Sequence, residues 1–432
     1  MVRTLSCSLL VLLVPSSALA ATLTVGAGKT YADPCAAIAA AKAGDTIEVD
    51  PGTYTVACKV GKSLTVRGVG AKRAVLDAPS SIPNGKGILA VEGGETDLVA
   101  EHLEFTGAAV GSNNGAGIRF QGRDLTVRDC AFHDNENGIL TAPQRNVVIE
   151  SSEFYDNGAG DGQSHNMYIG DAESFTFRAS WSHGSRKGHL LKSRARKNII
   201  VASRLTDQTT TPSDNVELPN GGASYLIGNL FEQANGDAGN MIRIGMEGNK
   251  YGDATQLLLV HNTFVNHRNK GAYVLVNSSV TQPTIVANNL FFGQGGLPTE
   301  KVTSVGNQML ALSEVGSDLV SDADYDYHLK AGAPAIDAGV DISQYLGGNA
   351  LEQYVHPLGA APRTKQGSAP DVGAYEFGDS GEGGQGGAAG TSGEGGQGGA
   401  AAGTSGEGGQ GGAAAGTSGE GGQGGAAAGT SG

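Results

Sequence analysis

Gly117-Ile118-Arg119-Phe120, Ile139-Leu140-Thr141, Met167-Tyr168-Ile169, Leu191-Lys192-Ser193, Val216-Glu217-Leu218 and Ile242-Arg243-Ile244 recur at intervals of 22, 27, 24, 25 and 26 residues. Each is a short alternation of apolar and polar side chains, the pattern of a strand with one buried face. Self-similarity at this period, carried by strands with almost no helical segments between them, predicts an all-β solenoid in which each repeat is one coil of a parallel β-helix. Equivalent residues of neighbouring coils then lie roughly 4.8 Å apart. The central polar residues Arg119, Thr141, Tyr168, Lys192, Glu217 and Arg243 form one outward-facing row, and that row is the place to look for function.

Two further columns repeat at the same coil length. Small polar residues, Asp129, Ser151, Ser203, Asn229, Asn262 and Asn288, follow an inward aliphatic residue and suit a tight corner with hydrogen bonds running along the axis. Phe132, Phe154, Phe231, Phe264 and Phe291 follow as an inward aromatic stack. Segments such as Leu64-Thr65-Val66-Arg67-Gly68 and Asn146-Val147-Val148-Ile149 supply the other strands of each coil, and the run from Ala36 to Lys42 reads as a short N-terminal capping helix.

The two ends differ from this middle. Residues 1–20 read as a signal peptide: Arg3, the apolar run Leu9 to Val14, then the small-residue site Ala18-Leu19-Ala20. That run is too short to span a bilayer and no later segment resembles a transmembrane helix, so the chain is expected to be secreted or at the cell surface. Residues 21–378 leave room for one long β-helix domain. From 379 to 432 a Gly/Ala/Ser/Glu/Gln repeat without large apolar residues cannot bury a core, and it reads as a disordered linker. Cys35 and Cys58 are spaced to staple the first coil as a disulfide, whereas Cys130 reads as a buried small hydrophobe. No spacing fits structural zinc. A net charge of −14 argues against nucleic acid as a partner.

The order Ile38 to Tyr54, with Ala43-Gly44-Asp45-Thr46-Ile47 and Pro51-Gly52-Thr53-Tyr54, resembles the first coil of the pectin-lyase-like superfamily. Ala335-Ile336-Asp337-Ala338-Gly339 and Pro370-Asp371-Val372-Gly373-Ala374-Tyr375-Glu376-Phe377 resemble its C-terminal turns. The resemblance covers roughly 21–378 and implies a right-handed parallel β-helix. The superfamily hosts lyases, hydrolases, epimerases and non-catalytic proteins, so activity has to be argued from the row.

The loops from Asp156 to His165, Thr206 to Asn215 and Glu232 to Asn240 would wall a groove beside the row, a shape suited to an extended polymer. Between them lies the densest basic stretch, Arg186, Lys187, His189, Lys192, Arg194, Arg196 and Lys197. In so acidic a protein this points to an acidic polysaccharide handled by a monomer. Elimination on a uronate needs a base for the C5 proton and a cation for the enolate-like carboxylate. Lys192 is the candidate base, Arg243 or Arg194 the neutraliser, and Tyr168 the proton donor to the leaving oxygen. His165 and His189, one coil apart and followed in their column by Asp214 and Asn240, read as acid/base candidates, with His189 the catalytic one, or, with Asp214, as a weak metal site. Arg119, His165, His183, Arg194 and Glu217 are expected to bind substrate. The residues dictate no cofactor and no metal ligand set; calcium stays open as an aid to neutralisation, although Glu217 is the lone acid in the row. The motifs of polygalacturonase-like hydrolases are absent. Polysaccharide lyase activity is therefore the leading expectation. The rivals are a uronate C5-epimerase, which shares the proton abstraction, and a non-catalytic glycan-binding or structural surface protein, which suits the Gly-rich tail. An ion-pair ladder through Lys192, Glu217 and Arg243 would fit the last of these.

Overall fold

A computed structural model describes residues 20–378, apart from residues 143, 237, 238 and 269. Residues 1–19, all but the last of the expected signal peptide, and residues 379–432, the expected linker, lie outside the described residues. Three parallel sheets of 12, 9 and 11 strands run side by side, and each coil of the chain contributes one strand to each in turn. The nine-stranded sheet runs from Cys58–Val60 to Val274–Val276 and carries the polar row. No helix among the described residues is long and apolar enough to cross a membrane.

The alternation read from the sequence sets the inside of the coil. Ile118, Ile139, Met167, Leu191, Val216, Ile242 and Val274 point inward from the nine-stranded sheet and are buried. The aromatic stack forms as expected in two runs, Phe105–Phe132–Phe154 and Phe231–Phe264–Phe291, with ring centroids 4.6 to 4.8 Å apart. Each stacked pair adds about 0.5–1.5 kcal/mol beyond the area it buries. Between the runs, Ser182 and Leu205 take the Phe position, and Ser182 hydrogen-bonds to the Leu190 carbonyl instead of stacking.

The polar corner column is real, but half of it is displaced by one residue. Backbone N–H groups donate to side chains of the next coil in the series Cys130, Ser152, Ser180, Ser203, Asn229, Asn262, Asn289 and Asn307, at 2.8 to 3.3 Å. Asp129, Ser151 and Asn288 sit one place earlier, with φ of 49°, 48° and 53°. They make the left-handed corner, where short polar side chains are favoured, and leave the ladder to their successors. Cys130 is free and buried, and burial pushes its thiol up to about 12.

Helix Pro34–Ala40 closes the N-terminal end, capped by Asp33, whose carboxylate accepts the Ala36 N–H at 3.0 Å. The Cys35–Cys58 disulfide ties this cap to the first strand of the nine-stranded sheet. The coils stop at strand Gln308–Leu310. The segment 312–378 then turns back as a strap along the outside of the solenoid. Glu352 takes both guanidinium arms of Arg178 at 2.7 Å, and the Asp324 carbonyl accepts from Arg204 at 3.2 Å. The two C-terminal motif fragments pair with each other (Gly339 N to Pro370 O, 2.7 Å; Val372 N to Ala335 O, 2.9 Å) and close on Asn288.

Candidate functional site

Pairing across the nine-stranded sheet puts Lys59, Ala90, Arg119, Leu140, Tyr168, Lys192, Glu217, Arg243 and Leu275 in one outward column. Thr141 is not part of it. Thr141 aligns with Phe120, is buried, and accepts hydrogen bonds from Gly170 N and Gln144 Nε2, each at 2.8 Å. A one-residue slip exchanges faces, and the Thr hydroxyl is worth more against an otherwise unpaired backbone N–H than in solvent. The other five expected row residues lie where the periodicity placed them.

Three adjacent strands then build a compact charged cluster. Lys192 Nζ lies 2.9 Å from Glu217 Oε2 and 3.2 Å from Glu247 Oε1. His189 bridges the two acids, with Nε2 2.8 Å from Glu217 and Nδ1 3.2 Å from Asp214. Arg243 reaches Asp214 at 3.2 Å from the other side. Arg194 donates to Tyr168 Oη at 2.6 Å, to Asn220 Oδ1 at 2.7 Å and to Glu247 Oε2 at 2.6 Å. Because Arg194 occupies the Tyr168 oxygen as an acceptor, the phenolic proton is left to be donated elsewhere.

The two histidines are chemically unlike. Their rings stack at a centroid distance of 4.9 Å. The His189 backbone N–H donates to His165 Nδ1 at 3.0 Å, so neutral His165 carries its proton on Nε2. Burial, reinforced by His189 and Lys192, holds His165 well below the ordinary imidazole range. Burial pulls His189 the same way, but its contacts with Asp214 and Glu217 outweigh it and raise its pKa. For Glu217, burial favours the neutral acid, and His189 and Lys192 overcome it, holding the carboxyl below the usual carboxylate range. The cluster thus stores charge in pairs, with one neutral imidazole against it.

Two expectations are corrected here. His183 belongs to the eleven-stranded sheet, where it stacks on Trp181 and Tyr155 and meets Glu153 and Gln208 at 3.0 Å. Its interval of 18 residues from His165 is not a coil length, so it does not share the groove. The basic stretch also divides: Lys192 and Arg194 enter the groove, Arg186 turns to Asp134, and Lys197 lies over Tyr225 on the twelve-stranded sheet. Glu247 and Asn220, the partners of Arg194, were not foreseen as site residues. They come from connections after or between the row strands, and no column points to them.

Calcium, left open by the sequence, does not fit this donor set. It takes six to eight oxygen ligands. Here the acids Asp214 and Glu217 already contact Lys192, Arg243 and a raised His189, and the third candidate ligand is an imidazole nitrogen. Ligand atoms of His189, Asp214 and Glu217 lie within 4.8 Å of one another, yet an entering cation has to displace the two basic side chains.

A family profile described as a right-handed β-helix region matches residues 80–178. The solved structure of pectate lyase Pel9A superposes with a TM-score of 0.51 and 18% identity, covering 83% of this chain and 96% of that one. A protein from Geobacillus virus E2, ORF18, aligns at 17% identity over 62% of this chain and 53% of its own, with a TM-score of 0.42. Pectin methylesterase PemA from Erwinia chrysanthemi aligns at 11% identity over 72% of this chain and 98% of its own, at 0.37. No curated protein sequence matches. At 18% identity the likeness to Pel9A establishes the fold alone, in agreement with the profile: a right-handed parallel β-helix.

Proposed function

We propose that this pectin-lyase-like β-helix is an exported, monomeric enzyme that cleaves a uronate-containing acidic polysaccharide by β-elimination in the groove of its nine-stranded sheet. The observation that carries the reading is the gathering of the Tyr168 hydroxyl with Lys192 and Arg194 on two neighbouring coils, and of Arg243 two coils farther along the same column. Such a set supplies a base, two carboxylate neutralisers and an acid within reach of one sugar. The polymer lies along the row. Arg243 and Arg194 face the carboxylate of the reacting uronate and stabilise the charge that develops as C5 loses its proton. Lys192 takes that proton, the C4–oxygen bond breaks, a C4=C5 double bond forms, and Tyr168 protonates the departing oxygen.

Lys192 starts the cycle paired with Glu217 and Glu247, and an ammonium accepts no proton. Glu247 is the exposed partner, carried on a loop beyond strand Ile242–Ile244. Substrate that draws Arg194 onto its own carboxylate frees Glu247 to swing out, and Lys192 then passes its proton to bulk water before acting as base. His189, Asp214 and Glu217 fix the position of Lys192, and His165 supplies a neutral ring against which His189 packs.

The disulfide near the N-terminal cap suits an extracellular setting. The test is incubation with pectate, alginate, heparan and chondroitin panels, following the ultraviolet absorbance of unsaturated uronate. A rise that Lys192→Ala abolishes supports elimination. Exchange of the C5 proton with solvent, without chain cleavage, identifies an epimerase. Binding with neither leaves a glycan-presenting protein.

A further inference from the structure

Three strands away from Lys192, on the same column, Arg119 has no ion-pair or hydrogen-bond partner among the described residues. Its guanidinium is half-buried, and burial pushes its pKa down against only the weak pull of Tyr168. Arg178 and Arg194 are moved the opposite way by the carboxylates they meet. A partly desolvated cation without an anion costs free energy, and the arrangement persists where a ligand supplies the anion. Nothing in the fold explains Arg119: its strand neighbours in the column are Ala90 and Leu140, neither of which can pair with it.

We propose that Arg119 is a carboxylate clamp for a second, unreacting uronate, so that the groove requires a run of ionised units extending from the reacting sugar toward the N-terminal coils. The parallel register sets the geometry. Arg119, Leu140, Tyr168 and Lys192 occupy successive coils, which places the Arg119 backbone roughly 14 Å from that of Lys192 at about 4.8 Å per coil. A coil spacing matches the rise of one sugar in an extended chain to within the reach of an arginine, so the clamp meets a unit one to three sugars from the reacting one. Toward the C-terminal coils the column offers no matching cation: beyond Arg243 it ends in Leu275, which is exposed. The polymer is therefore held asymmetrically, with its charge read on one side of the scissile bond. The unit at Arg119 must carry a free carboxylate, because a methyl ester presents no anion to the guanidinium.

This inference borrows from the elimination reading only the position of the reacting sugar, and its test separates the two. Oligogalacturonates and oligomannuronates of two to six units are titrated calorimetrically into wild type, Arg119→Gln and Arg119→Lys, and cleavage of the same series is followed in parallel. Wild type is expected to bind more tightly as length grows. Arg119→Gln loses about tenfold of that gain, the scale of one charge-assisted hydrogen bond, and Arg119→Lys recovers part of it. Fully methyl-esterified hexamer binds wild type and Arg119→Gln alike. Length-dependent binding that Arg119→Gln abolishes, without cleavage by any variant, removes the elimination reading and keeps the clamp. A length dependence unaltered in a folded Arg119→Gln, checked by its unfolding midpoint, overturns the clamp whether or not cleavage occurs. Absence of binding of both series to wild type overturns it as well.

Discussion

Two buried glutamates, Glu217 on the nine-stranded sheet and Glu232 on the eleven-stranded sheet, have nearly the same exposure and opposite acidity. Glu217 has Lys192 at 2.9 Å and His189 at 2.8 Å, and the cations hold it ionised. Glu232 accepts the Gln208 N–H at 3.0 Å, but its nearest cation is His267 at 3.9 Å, already engaged by Asp322 of the strap at 3.4 Å. Burial wins there and raises its pKa to about 7. Burial alone therefore assigns no role to an acid. What separates a charge-handling cluster from a proton-holding clasp is whether cations stand in contact, as Lys192 and His189 do at Glu217 and as His267, turned to Asp322, does not at Glu232.

The deepest cut into this comparison is Lys192→Ala. It should lower kcat for elimination about 10³-fold, within the range for a general base, and the pKa of Glu217, followed by carboxyl NMR, should climb toward the ordinary value. Retained activity would move the base elsewhere. Next comes Glu217→Gln, which leaves buried His189 and Lys192 short of a counter-charge. About 3–5 kcal/mol of stability should be lost in denaturant unfolding, and a loss below 1 kcal/mol would mean the cluster relaxes freely.

Glu232 should show the reverse dependence on pH. Its folded pKa lies above its unfolded one, so its contribution is complete below about pH 4.5 and is lost as pH rises through about 7. His267, raised mainly by Asp322, acts in the same direction. Wild type should therefore lose on the order of 2–3 kcal/mol across that window, and Glu232→Gln, which keeps an oxygen for the Gln208 N–H, should flatten the slope. An unchanged slope would place the titration in another group. The smallest effect belongs to Arg128→Ala, whose side chain is nearly half exposed in its pairs with Glu101 and Glu150: under about 1 kcal/mol, and less at high salt.

The sheet that carries Glu217 was far more legible in the sequence than the clasp around Glu232. Period and alternation are local properties repeated many times, so they suffice to stack Tyr168, Lys192, Glu217 and Arg243 in order. Register failed where two neighbours were both plausible outward, as at Leu140 and Thr141, or both small and polar, as at Asn288 and Asn289. There a single hydrogen bond or a left-handed φ decides, and neither leaves a compositional trace. His183, only 18 residues after His165, falls off the coil period and faces the eleven-stranded sheet. The link from Glu232 and His267 to Asp322 joins coil to strap across a long stretch of chain with no shared period, as does that from Arg178 to Glu352, so no column could announce them.

The strap also changes how the molecule comes apart. A stack of coils that touch only their neighbours unzips like a one-dimensional lattice, one rung at a time from a free end. Here the same strap grips the coils of Arg178, Arg204 and Asn288 at once. The terminal coils cannot peel away singly without first releasing a tether anchored several rungs deeper. Mechanical pulling from the C-terminus should thus produce one tall rupture spanning the second half of the solenoid, followed by a staircase of small ones toward the disulfide.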